Sequence, residues 1–122
     1  MKEQVLDISL WQERLSDFSK ARDWGQFHNP KNLSMALSVE SSELVEIFQW
    51  LTLEQSSSLA PELKKKVENE MSDILMYLIR LSDVLDIDLS KSIDEKFILN
   101  GEKYPVELAR GTAKKYNELK TE

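Results

Sequence analysis

Two short stretches could do chemistry together: Glu40-Ser41-Ser42-Glu43 and Glu70-Met71-Ser72-Asp73, each inside an apolar-periodic segment. At about 100° per residue, Leu33, Ala36, Leu37, Leu44, Ile47, Phe48 and Leu51 all lie within roughly 80° of Glu40, so this acid is central to its stripe. Glu43 sits about 60° to one side. Setting Glu70 at zero gives the same picture: Leu63, Val67, Ile74, Tyr77, Leu78, Leu81, Val84 and Leu85 fall within roughly 80°, with Asp73 about 60° to the same side. Four carboxylates aimed inward from two helices must be compensated. Lys66 and Arg80 are the main basic residues near these stripes, and both lie at their edges. A bound cation is therefore favoured over buried salt bridges.

Carboxylates without cysteine or an inward histidine are hard oxygen donors, which suit Mg²⁺, with Mn²⁺ as substitute, better than zinc or copper. The di-iron bundle pattern needs Glu-x-x-His, and here the corresponding position is Asp73, while the only histidine, His28, lies in a loop. A Mg²⁺ site completes its shell with substrate phosphates, which points to phosphate chemistry. Two or three ions would let four carboxylates accept a polyanion, and a water would be the nucleophile. The chain lacks a Ser-His-Asp or Cys-His pattern and a glycine-rich phosphate loop, which leaves covalent and P-loop chemistry without support.

The elements that must position these acids are helices. The chain has 122 residues, net charge −6 and no cysteine, which predicts one domain and excludes disulfides and thiolate metal sites. There is no leader-like or membrane-spanning run, so the expected location is the cytoplasm, and no basic surface for a nucleic-acid polymer precedes the tail. The first helix is expected from a capping box at Ser9-Leu10-Trp11-Gln12 to about Arg22–Trp24, with Trp11, Leu15 and Phe18 as core candidates. The loop Asp23 to Pro30 holds Trp24, Phe27 and His28, too much ring surface for a spacer. It either plugs one end of a bundle or forms a wall that stacks on a planar ligand. Asn29-Pro30 caps the second helix, whose period runs to about Leu53. Trp50 lies two turns beyond Glu43 on the same side, and Glu46 lies at the stripe's border.

Thr52 to Ala60 reads as a flexible Ser-rich connection, with Ser58 as N-cap of a third helix reaching about Asp86. That helix is apolar nearly all round from Met71 to Leu85, which predicts cover from a second subunit and an obligate oligomer. A fourth helix, capped by Asp88 or Ser90, is expected to end near Asn100-Gly101. The domain is drawn as 1–106 and the polar tail as 107–122, the tail being either an arm across a neighbouring subunit or a frayed end. The fold class is all-α and four-helix-bundle-like.

In combination the motifs resemble the all-α MazG-type nucleoside triphosphate pyrophosphohydrolases, through the Glu-x-x-Glu and Glu-x-x-Asp signature at Glu40, Glu43, Glu70 and Asp73. They are most similar to the dCTP pyrophosphatase branch of that family. The stretches carrying this likeness are Arg22-Asp23-Trp24-x-Gln26-Phe27-His28-x-Pro30-Lys31-Asn32-Leu33, Glu40-x-x-Glu43-Leu44-x-Glu46-x-Phe48-Gln49-Trp50 and Asn100-x-x-Lys103-Tyr104-Pro105, within residues 8–106. The resemblance implies a tetramer built as a dimer of dimers. It also implies Mg²⁺-dependent cleavage between the α- and β-phosphates of a nucleoside triphosphate, giving a monophosphate and pyrophosphate in a house-cleaning role on dCTP or modified dCTP. Glu40, Glu43, Glu70 and Asp73 would hold the metal and carry catalysis. Trp24, Gln26, Phe27, His28, Trp50 and Tyr77 would surround the base and sugar, with the base directed toward both Trp50 and Tyr77. Asn100 and Lys103 would meet the phosphates, from the same or a neighbouring subunit. This sequence departs from the pattern at Leu15, where relatives in the dCTP branch can carry histidine near the base, and in its short Ser-rich loop. Other nucleotides, such as dUTP or a phosphoribosyl-ATP, remain alternatives, as does a non-catalytic helical interaction protein.

Overall fold

The computed structural model describes residues 4–119, and all of its regular structure there is helical. The chain forms two compact units, one through Ile87 and one from Asp88 onward. No helix among the described residues is long and apolar enough to cross a membrane.

In the first unit α1 spans Ile8–Ala21, α2 Pro30–Phe48, α3 Leu53–Ser56 and α4 Pro61–Val84. The longest helix, α4, packs along α2 and more sparingly against α1. Leu33 and Ile79, each 1% exposed, are the best-buried side chains, one from α2 and one from α4. Much apolar surface stays open, including Met35, Val39 and Val45 on α2 and Met71 and Leu78 on α4.

Local chemistry explains where the helix boundaries differ from those expected. Asp7, not Ser9, caps α1, its Oδ1 accepting from the Leu10 amide at 3.0 Å. Gln12 does not reach back to the helix start: its Nε2 donates across the fold to Ser82 Oγ at 3.0 Å. Asn29 and Pro30 open α2 as predicted, the Asn29 side chain accepting from Asn32 at 2.9 Å. The helix nevertheless ends at Phe48 rather than Leu53, because Thr52 and Gln55 form a reciprocal capping box that starts α3. The supposed flexible connection is thus partly helical. Ser58 is not the next N-cap, since Pro61 at the first helical position sets the start of α4 with Ala60 before it.

Helices α1 and α4 end alike. Asp23 (φ 54°) and Asp86 (φ 55°) take the left-handed conformation just past each C-cap. The next amides, of Trp24 and Ile87, then donate back to the carbonyls of Ser19 and Ser82 at 2.9 and 2.8 Å. These are Schellman closures with aspartate where glycine is usual. Ser19 and Ser82 are the two buried polar residues among those described, each 3% exposed, so both closures also fix a buried hydroxyl.

In the second unit, α5 spans Leu89–Lys103 behind Asp88 as N-cap, so it runs through Asn100-Gly101 instead of stopping there. Helix α6 (Val106–Ala109) and a 3₁₀ turn (Tyr116–Glu118) follow. The polar tail, described here through residue 119 with 120–122 outside the described residues, folds back within this unit: Tyr116 meets Tyr104 edge-on at 6.4 Å, and Lys103 Nζ lies 4.8 Å from the Tyr116 ring centroid.

Candidate active site

The two acidic stretches meet where α2 and α4 pack. Carboxylate oxygens of Glu40, Glu43 and Glu70 all lie within 4.8 Å of one another. One oxygen of Glu40 and one of Glu70 (Oε2 in each) are fully buried and have no hydrogen-bond partner. Leaving such groups unpaired is costly, and like charges at this spacing add repulsion. The Glu40 carboxyl is accordingly pushed up to about 7, first by burial, then by the adjacent Glu70 and Glu43 carboxyls and the charges of Glu43 and Asp73. An oxygen-only donor set with two orphaned buried oxygens fits a hard divalent cation.

The fourth acid sits differently. Asp73, one turn beyond Glu70, is close enough to add its charge to Glu40, yet it lines a separate cavity. That cavity, about 520 Å³, lies between α1, the Asp23–Pro30 loop and α4. Helix α1 contributes Trp11, Arg14, Leu15, Phe18 and Ser19, the loop contributes Trp24 and His28, and α4 contributes Asp73, Met76, Tyr77 and Arg80. Its walls are mainly aromatic and apolar, with charge only at a few points, as suits a planar heteroaromatic ligand. A second, more polar hollow of about 670 Å³ is lined by Glu43, Glu46, Ile47, Leu63, Lys66, Asn69 and Glu70. Following α4 from its start, the polar hollow comes first, then the acidic cluster, then the aromatic cavity.

Of the residues expected around a base, Trp24, His28 and Tyr77 line the aromatic cavity. Phe27 does not: it is 58% exposed, and its carbonyl accepts from Asn32 Nδ2 at 3.0 Å. Gln26 braces the turn instead, its Nε2 donating to the Asp23 carbonyl and carboxylate at 3.0 and 3.3 Å. Trp50 lies past the end of α2 and is 86% exposed. Because α2 and α4 run antiparallel, bringing Ile47 beside Leu63, Trp50 lies toward the start of α4 while Tyr77 lies toward its end. The expectation that one base points toward both is therefore corrected for a single protomer: shared stripe phase does not give shared direction when the helices are antiparallel. Asn100 and Lys103 belong to the second unit.

Sequence reasoning passed over Arg14, Ser19 and Arg80 as cavity residues. Arg80 could have been found from Asp73-x-x-x-Tyr77-x-x-Arg80, which puts three polar or aromatic groups on one helical face. Its guanidinium is held in place, Nε donating to His28 Nδ1 at 3.1 Å and Nη1 to Asp83 Oδ2 at 3.2 Å. His28 has its pKa lowered by burial and by the Arg80 charge. Trp24 is set between Phe18 and His28, with ring centroids 5.7 and 6.1 Å away.

The MazG-like family model matches residues 35–119. Similar proteins include dCTP pyrophosphatase 1 from Rattus norvegicus, 40% identical over 106 residues (85% of this chain and 62% of that protein). The Bos taurus and Homo sapiens proteins of the same name are 42% and 39% identical over the same share of this chain, covering 63% and 62% of their own lengths. The chain thus spans about 62% of the length of these relatives. A crystal structure of a pyrophosphatase from Archaeoglobus fulgidus is similar in fold, with a TM-score of 0.76 and 33% identity over 86% of this chain and 98% of that one. With a matched segment that contains both acidic pairs, and an all-α fold shared with that pyrophosphatase, this chain belongs to the MazG-like family.

Proposed function

We propose that this protein is a Mg²⁺-dependent nucleoside triphosphate pyrophosphohydrolase that cleaves between the α- and β-phosphates, with dCTP or a modified dCTP as substrate in a house-cleaning role. The observation that carries this reading is the Glu40, Glu43 and Glu70 cluster with its two orphaned buried oxygens, set between an aromatic cavity and a polar hollow. The dCTP pyrophosphatase 1 relatives support the choice of substrate.

Glu40, Glu43, Glu70 and Asp73 would hold the metal, with Mn²⁺ as a substitute. When bound, Mg²⁺ neutralises phosphate charge and polarises the phosphoryl oxygen under attack by water. The chain's own groups do the rest. Trp24 and Tyr77 flank the base and exclude water from it, His28 offers a donor to its edge, and the polar hollow by Lys66 and Asn69 leaves room for the departing pyrophosphate. The order of these features along α4 gives the substrate its direction, base toward Arg80 and phosphates toward Glu70. Asn100 and Lys103, and Trp50 with its exposed ring, would complete the site in a homotetramer arranged as a dimer of dimers. The open apolar surface on α2 and α4 supports such an assembly. Gln26 supports the loop that carries Trp24 and His28 toward the ligand, and the enzyme would act in the cytoplasm.

Incubation with a panel of triphosphates and Mg²⁺ tests this. Pyrophosphate should be released, fastest from dCTP or a 5-modified dCTP, and Glu70→Gln should remain folded while losing the activity. Release from dUTP or another triphosphate at a clearly higher kcat/KM would move the substrate assignment, and release from none would overturn the reading.

A further inference from the structure

The wall of the aromatic cavity contains a hydrogen-bonded chain that fixes the proton of the single histidine. Arg80 Nε can only donate, because a guanidinium has no acceptor and does not deprotonate. It lies 3.1 Å from His28 Nδ1, so that nitrogen must present its lone pair. Ser19 Oγ, 3.2 Å from the same nitrogen, can then only donate to it. With Nδ1 occupied as an acceptor, the neutral ring carries its proton on Nε2. Nε2 has no hydrogen-bond partner among the described residues, and the ring lines the cavity.

The parts that impose this state are well anchored. Ser19 is 3% exposed and is held by the closure at the end of α1. Arg80, its side chain 13% exposed, is tied through Nη1 to Asp83 Oδ2 at 3.2 Å. A guanidinium whose Nε and Nη1 each have an acceptor cannot rotate without breaking both bonds. His28 is thereby prevented from offering Nδ1–H to the cavity, and the adjacent cation opposes formation of the imidazolium.

We infer that Arg80 is a positioning residue, acting through His28 to give the cavity a fixed Nε2–H donor that selects ligands with a hydrogen-bond acceptor, such as a ring carbonyl, on the edge of a planar base. This rests on the proposed function in that it takes the aromatic cavity as the base site. The tautomer itself does not depend on any activity.

Because the chain has one histidine, a long-range ¹H–¹⁵N spectrum of the labelled 122-residue chain reports this ring alone. At neutral pH the ring should be the Nε2–H tautomer, and Arg80→Gln should turn it into a tautomer mixture. A wild-type ring protonated on Nδ1, or an unchanged ring in Arg80→Gln, would overturn the inference. Two substitutions then separate support from ligand contact. His28→Asn keeps an acceptor for Arg80 and Ser19 at the Nδ1 position but loses the donor, whereas His28→Gln keeps a donor near Nε2. If the donor meets the base, His28→Asn should retain the wild-type melting temperature yet raise KM for dCTP about tenfold with a smaller effect on kcat, and His28→Gln should recover most of the loss. The reverse order, with His28→Asn near wild type and His28→Gln impaired, would show a purely structural ring. If wild-type protein hydrolyses no triphosphate, the proposed function fails while the spectrum still decides whether Arg80 sets the tautomer.

Discussion

Glu40 on α2 and Glu70 on α4 approach with carboxylate oxygens within 4.8 Å, and each keeps one buried oxygen without a hydrogen-bond partner. Two acids in this arrangement oppose folding unless a proton or a cation lies between them. The cluster is built at the expense of stability, and a bound cation would offset what the acids cost.

Replacing Glu40 by Gln separates these two effects. At pH 8 without divalent cations, Glu40→Gln should melt higher than wild type, by a few degrees for each ~1 kcal/mol of repulsion removed. Its pyrophosphate release should fall on the order of 100-fold or more, as expected when a charge-stabilising contact is lost. Asp73→Asn should lose activity similarly but gain less stability, because Asp73 opens to the aromatic cavity and is not among the three clustered acids. Thermal scans and a pyrophosphate assay on both variants check this.

The metal-free protein should become less stable as pH rises between about 4.5 and about 7, because Glu40 titrates near 4.5 unfolded and near 7 folded. Across that window the folded state binds more protons than the unfolded state, so raising the pH favours unfolding. A cation displaces the same proton, so Mg²⁺ affinity should rise over this range and the stabilisation by Mg²⁺ should be largest above pH 7. Melting temperatures across pH, with chelator and with Mg²⁺, give both slopes.

Ile79 shows how thin the protomer's core is. It is 1% exposed on α4, one turn from Leu75 and beside Arg80, in a unit with few other buried side chains. Ile79→Ala should cost about 2–5 kcal/mol, a large fraction of the stability of a small domain. Chemical denaturation at fixed protein concentration measures it.

The convergence of Glu40, Glu43 and Glu70 was legible in the sequence because charge inside an apolar stripe is anomalous, and helical phase alone placed Glu40 and Glu70 at the centres of their stripes. The all-α class and the Asn29-Pro30 start were readable for similarly local reasons. Helix ends were less so. Ser9 and Ser58 look like caps, but Asp7 offers a carboxylate two residues earlier and Pro61 fixes the backbone of the first turn of α4. The Thr52 and Gln55 pair was a visible capping box, hidden by the continuing apolar period across Leu51 and Leu53. Direction along the site could not be read from phase, which is the same for parallel and antiparallel helices, and Trp50 and Tyr77 were therefore placed together. The Arg80 to His28 bond joins residues 52 apart and depends on how the loop returns to α4, which periodicity does not report.

The most direct test of the central claim is product analysis of dCTP incubated with Mg²⁺ and the 122-residue chain. dCMP and pyrophosphate should appear in equal amounts, cease on chelation, and be absent with Glu40→Gln or Glu70→Gln variants that remain folded. Production of dCDP and phosphate, or undiminished hydrolysis by those variants, would contradict the assignment of the Glu40, Glu43 and Glu70 cluster as the metal-holding centre of a pyrophosphohydrolase.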